Sequence, residues 1–198
     1  MVRGQADSAA GDLTGAGSAA ADSAAAARRD GGDVDMKRII RHLMATRWTV
    51  KRAFPRDTLT TIGKAIKASE ATHRGELRFV VEGALHVEPL LRDQTPRERA
   101  IDVFSQLRVW DTERNNGVLI YLLLADRDVE IVADRGIDAK VGAQEWERIC
   151  CKMEAAFRQA DFEGGVICGI QEVTRHLAEH FPPTGDDRNE LADKPVVL

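Results

Sequence analysis

The chain has 198 residues, 43% of them hydrophobic and 30% charged, with a net charge of −4, the profile of one globular domain with loose ends. Its longest apolar run, Val118 to Ala125, is eight residues, far short of the about 20 that a spanning helix needs, and the negative balance of the chain beyond residue 56 argues against nucleic acid as a partner. Three cysteines, two adjacent (Cys150, Cys151) and one apart (Cys168), make neither a disulfide framework nor a CxxC zinc site and fit a reducing cytoplasm.

Residues 1–35 are mainly Ala, Gly, Ser and Asp, with Val2, Leu13 and Val34 as their larger aliphatics. So little apolar surface does not offset the entropy of ordering a backbone, and the segment is expected to be a disordered arm. It has no aliphatic stretch of the secretory type, and Met36-Lys37-Arg38 reads as the functional start, the first 35 residues coming from an upstream start codon or from an engineered extension. Charge divides the chain in three: −3 over 1–35, +7 over 36–56 and −8 over the rest. The middle stretch has no acid and interleaves its cations with Ile39, Ile40, Leu43, Met44, Trp48, Val50 and Phe54. It predicts a basic amphipathic helix limited by Pro55. Such a helix either docks on its own domain or meets an anionic membrane or a partner through Lys37, Arg38, Arg41, Arg47, Lys51 and Arg52.

Asp57 is placed to cap a helix running to about Thr72, with Leu59, Ile62, Ala65, Ile66 and Ser69 on one face. Glu76 to Glu82 alternates apolar with polar and predicts a half-buried strand. Thr95-Pro96-Arg97-Glu98 is a capping box with proline at the first helical position, opening a helix that buries Ala100, Ile101, Phe104 and Leu107. Asn115-Asn116-Gly117 is a turn, and the apolar run after it suits a central strand covered on both faces. Asp126-Arg127 then makes a tight reversal, with Leu124 opposite Val129 and a second strand to Ala133. Trp146, Ile149, Cys150, Met153 and Phe157 form one helical stripe, and Val166, Ile170, Val173 and Leu177 another. Trp48, Trp110 and Trp146 read as core or semi-core residues, and 182–198 as a disordered polar tail. The order of elements predicts a single α/β domain over 57–181, a three-layer α/β/α sandwich around a small mixed sheet.

In the expected hairpin register, Asn115 and Asn116 lie opposite Asp138 and Ile137. With Asp134 they gather oxygen ligands of the kind that calcium or magnesium takes. Asp126 and Asp128, at the other end, are the second choice for that metal. His176 and His180 stand one helical turn apart, with Glu172 a turn earlier, but lack an evident further zinc ligand. Cys150, on the buried stripe, reads as a small core residue rather than a nucleophile. No EF-hand, P-loop, G-x-S-x-G or H-E-x-x-H pattern is present, and no organic cofactor is expected.

Several pieces combine into a resemblance: Phe104 with Trp110; Asn115-Asn116-Gly117-Val118-Leu119-Ile120; Asp126-Arg127; Ile131-Val132 ahead of Gly136-Ile137-Asp138; and Phe157-Arg158 with Asp161-Phe162 and Gly164-Gly165. Together they resemble the TPM domain family, shared by thylakoid-lumen, photosystem-repair and many bacterial proteins, with similarity extending over about 57–180. The chain departs from the family at Asp134-Arg135, where glycine and an aromatic are common. The resemblance implies an α/β/α sandwich, with calcium binding in some members and weak acid-phosphatase activity attached to others. The signal peptide and membrane anchor of many members have no counterpart here, so a cytoplasmic location is expected, with peripheral membrane attachment open. The expected function is a non-enzymatic domain that binds a divalent cation, calcium first, and a protein partner. The alternatives are a weak metal-assisted acid phosphatase and a peripheral membrane adaptor acting through 36–56.

Overall fold

The computed structural model describes residues 35–45, 47–184 and 190–198, with Arg47 described by its backbone. The expected arm at 1–34, the Arg47 side chain and residues 185–189 of the expected tail lie outside the described residues. In chain order the described elements are α1 (Met36–Met44), α2 (Arg47–Ala53), α3 (Arg56–Glu70), β1 (Glu76–Glu82), α4 (Val87–Leu91), α5 (Pro96–Gln106), β2 (Gly117–Leu123), β3 (Asp128–Ala133), α6 (Arg135–Val141), α7 (Ala143–Arg158), α8 (Phe162–His180) and β4 (Val196–Val197).

The sheet is four-stranded and mixed, in the order β3-β2-β1-β4. β1 runs parallel to β2 and to β4, and β2 is antiparallel to β3. Every residue of β2 is buried, because successive side chains point to opposite faces and both faces are covered. Val118, Ile120 and Leu122 join Leu77, Phe79 and Val81 in a core shared with α3, α7 and α8, while Leu119, Tyr121 and Leu123 join Val80, Ala100, Val103 and Phe104 in a second core under α5. This is the expected three-layer sandwich.

The differences have identifiable causes. β1 is buried on both faces rather than half-buried, because α5 brings Arg99 over its polar end. Arg99 Nε and Nη2 donate to the two oxygens of Glu82 at 2.8 and 3.0 Å, and the Tyr121 hydroxyl donates to Glu82 Oε2 at 2.8 Å. Burial and the Glu82 charge push the Tyr121 hydroxyl up, and the bond to Glu82 raises the Arg99 guanidinium. The 36–56 segment is two helices, not one, since Ala45 leaves α1 in an extended conformation. Pro55, not Asp57, caps α3; its fixed φ suits the entry to a helix, and Asp57 falls in the first turn. Ile101, Trp48 and Trp110 are exposed, whereas Trp146 is buried.

The expected polar tail is ordered at its far end. Val196 and Val197 pair with Val80 and Val81, since the β1 edge has unpaired backbone groups that β-branched residues satisfy. Glu76 takes the Glu190 and Leu191 N–H groups on its two oxygens at 2.9 and 3.1 Å, and Arg78 donates to the Ala192 carbonyl.

Candidate functional site

The β2–β3 hairpin register differs from expectation by two residues: Leu122, not Leu124, faces Val129. The loop is the four residues 124–127, closed by Arg127 N–H to the Leu124 carbonyl at 3.2 Å. Arg127 has a positive φ of 54°, the left-handed residue that lets such a loop turn back into a strand. Asp134 N–H then bonds to the Gly117 carbonyl, and the chain turns at once into α6. Asn115 and Asn116 therefore do not face Asp138 and Ile137 across a ladder.

At that end, one side-chain oxygen each of Asn115, Asp134 and Asp138 already serves the backbone or a neighbour. Asn115, with φ at 52°, accepts from Arg135 Nε at 3.2 Å. The buried Asn116 amide donates to the Arg74 carbonyl at 2.7 Å. Asp134 caps α6 by accepting the Arg135 N–H at 2.7 Å, and its other oxygen is buried without a hydrogen bond. Asp138 accepts from Trp146 Nε1 at 3.0 Å. Close packing explains the motif: a Cβ on Gly117 would lie 1.9 Å from the Val109 carbonyl oxygen, and one on Gly136 2.5 Å from that of Asn115.

The opposite end holds a cavity of about 880 Å³. Its walls come from α1 and α2, from the start of α3, from the hairpin tip and from the turn before α8, and they carry Asp126, Asp161 and Glu163 together with Arg41, Arg52 and Arg127. Asp126 is nearly enclosed. One of its oxygens accepts from Arg38 Nε at 3.0 Å, and the other stands 3.6 Å from Arg41 Nη2 and 3.1 Å from His42 Nε2. Leu85 N–H donates to His42 Nδ1 at 3.0 Å, which assigns the imidazole proton to Nε2. The approach of that nitrogen to Asp126 is out of line for a hydrogen bond, so Asp126 Oδ1 and His42 Nε2 are both buried without one. An unbonded buried carboxylate oxygen calls for a further partner.

Asp161 caps α8 by accepting the Gly164 N–H at 2.9 Å, and Glu163 accepts from the Thr58 hydroxyl at 2.6 Å. Asp128 is not on the cavity wall. Burial, with Glu130, Glu154 and Asp126 nearby, pushes its carboxyl up to about 7, so the second-choice pair is divided. Asp126 joins Asp161 and Glu163 instead. Sequence reasoning missed these two, although an Asp ahead of Phe162-Glu163-Gly164-Gly165 is a legible helix cap. The Arg38–Asp126 pair spans 88 positions and has no local signature.

Arg38 of the expected interaction surface is thus largely covered against Asp126, and Arg41 reaches toward it while still exposed; Lys37, Lys51 and Arg52 are exposed. Arg52 lies over the Trp48 ring at 5.5 Å. Among the described residues, only His176, Glu179 and His180 offer three acidic, imidazole or thiol ligand atoms within 4.8 Å of one another, and His176 Nε2 already lies 3.0 Å from Glu145 Oε1. Glu172 is not in that group; it pairs with Arg148, Lys152 and Arg175. Burial pushes the Cys150 thiol up, away from nucleophile chemistry. No helix among the described residues is long and apolar enough to cross a membrane.

Comparison with known proteins gives a consistent result. The TPM domain profile matches residues 51–176. The solution structure of the BA42 protein from the psychrophilic bacterium Bizionia argentinensis is similar over 72% of this chain and 93% of its own, with 30% identity and a TM-score of 0.63. The N-terminal domain of a protein from P. gingivalis shares the fold at 20% identity and a TM-score of 0.53, over 65% of this chain and 81% of that one. No curated protein matches.

Proposed function

The chain belongs to the TPM domain family, and from that premise we propose that it is a binding domain whose hairpin-tip cavity takes a divalent cation, calcium first, beside an anionic group. The observation that carries this reading is the lining: Asp126, Asp161 and Glu163 share one cavity with Arg41, Arg52 and Arg127. Carboxylate oxygens suit a hard cation, and guanidinium groups suit a carboxylate or phosphate. Asp126 Oδ1 accepts no hydrogen bond but lies against Arg41 Nη2 and His42 Nε2, so an ion would take it as a primary ligand by displacing those contacts. Because these three carboxylates do not converge within 4.8 Å, Asp126 would hold the ion, with Asp161 and Glu163 reaching it from exposed positions by rotamer change or through water. Arg38 keeps Asp126 oriented and neutralises part of its charge, which favours modest affinity and easy exchange.

The same arginines support a second reading, a weak metal-assisted phosphatase, in which they would stabilise charge on a phosphoryl group. Calorimetric titration of the full chain with calcium and then magnesium separates these readings from a purely structural cavity. Saturable binding that Asp126→Asn removes supports the proposal, and an aryl phosphate hydrolysed only with the cation present supports the second reading. No heat and no thermal shift at millimolar cation would contradict both.

A further inference from the structure

A surface helix of a folded domain ordinarily turns its apolar stripe inward and its charges outward. α1 does the reverse over half its circumference. Its inward side is held by polar contacts: Arg38 reaches Asp126, Asp93 and the Gln94 carbonyl, and His42 accepts from Leu85 N–H. Ile39 adds a partly buried contact with the core under α5. The outward side is Met36, Ile40, Leu43 and Met44, spaced i, i+4, i+7 and i+8 on one face and 48–73% exposed. Trp48 of α2 extends the exposed apolar surface at 66% exposure. α2 itself is firmly seated, since Val50 and the adjoining Phe54 are fully buried.

Five large apolar side chains so exposed in one short stretch of a chain exceed the scatter usual on a protein surface. Lys37 and Lys51, both exposed, accompany them, and residues 36–56 carry no acid at all. We infer that α1 and the start of α2 form a docking surface for an anionic lipid bilayer, the apolar side chains entering the headgroup–acyl boundary while the lysines meet lipid phosphates. Charge complementarity selects this occupant. The chain is negative overall, yet this segment has seven basic residues and no acid. Arg38 and Arg41 are engaged with Asp126, and Lys37, Lys51, Arg52 and Arg56 are exposed, as in an amphipathic anchor for negatively charged lipid. The polar pinning by Arg38 and His42 keeps the stripe outward, so the surface is preformed.

The test is co-sedimentation of the full chain with vesicles of phosphatidylcholine alone and with phosphatidylserine added, at low and high salt. The expected result is binding that requires phosphatidylserine and weakens with salt. Lys37→Glu with Lys51→Glu should weaken it by about tenfold or more, taking about 1 kcal/mol per basic side chain at the surface. Leu43→Glu should abolish it with the melting temperature retained, since Leu43 is 65% exposed. The Trp48 fluorescence, isolated by comparison with Trp48→Phe, should shift to the blue on binding. Failure to sediment with phosphatidylserine vesicles at low salt would overturn the inference, as would equal binding to both vesicle types. Self-association without lipid that Leu43→Glu abolishes would overturn it in favour of a second copy of the chain. None of these readouts depends on the cavity, so this inference and the proposed function fail separately.

Discussion

The two ends of the β2–β3 hairpin carry similar residues and use them differently. At the Asn115 end, amides and carboxylates hold the backbone: Asn116 bonds the Arg74 carbonyl, Asp134 caps α6 and Asp138 holds the Trp146 indole. At the Asp126 end, carboxylates line a cavity. Each end has one carboxylate oxygen buried without a hydrogen bond, Asp134 Oδ2 and Asp126 Oδ1, so the adjoining space is what separates them. A cluster of potential ligands becomes a site when space adjoins it and lone pairs remain to be used. Residue type alone does not distinguish the cases, because the chemistry that suits a cation also suits a backbone N–H.

The sharpest break in this comparison comes from Gly117→Ala. The added methyl would meet the Val109 carbonyl, and the expected cost is about 3 kcal/mol or more, read as insoluble expression or a collapsed thermal transition. Asn116→Ala, in the same region, removes a buried amide bond and should cost about 1–3 kcal/mol in denaturant unfolding, with cation binding retained. Asp126→Asn should reverse that pattern: a smaller loss of about 1–2 kcal/mol, since Arg38 keeps its bonds to Asp93 and Gln94, but no stabilisation by calcium in a melting series.

The smallest effect is a pH dependence. Asp128 is raised from an ordinary 3.8 to about 7 by burial and by Glu130, Glu154 and Asp126. The folded chain therefore keeps a proton that the unfolded chain releases, and this contribution to stability is complete below 3.8 and lost as pH rises to about 7. Asp128→Asn should flatten melting temperature against pH across that window. A variant that follows the parent's slope would place the titration elsewhere.

Much of the fold was legible because its signals are local or periodic. The apolar run 118–125 reads as a doubly covered strand, the Thr95–Glu98 capping box forms with both reciprocal bonds, and the α7 stripe from Trp146 to Phe157 is buried as spaced. What failed to show was long-range. Glu82 reads as a solvent-facing residue until Arg99 and Tyr121 close on it, and Val196–Val197 read as a tail until the β1 edge pairs with them. The hairpin register slipped because nothing local separates a two-residue reversal at Asp126-Arg127 from a four-residue loop whose last member takes a positive φ. For the candidate site, Asp126 was legible as an acidic tip. Its company was not, since Arg38 and His42 reach it, and Asp161 and Glu163 share its cavity, only through tertiary packing.

One measurement addresses the central claim directly: an amide-resolved NMR titration of the full chain with calcium. The account predicts saturable shifts centred on Ala125 to Arg127 and Ala160 to Gly164, absent in Asp126→Asn. Saturable shifts centred instead on Asn115 to Gly117 and Asp134 to Asp138, or no saturable shift at millimolar calcium, would contradict it.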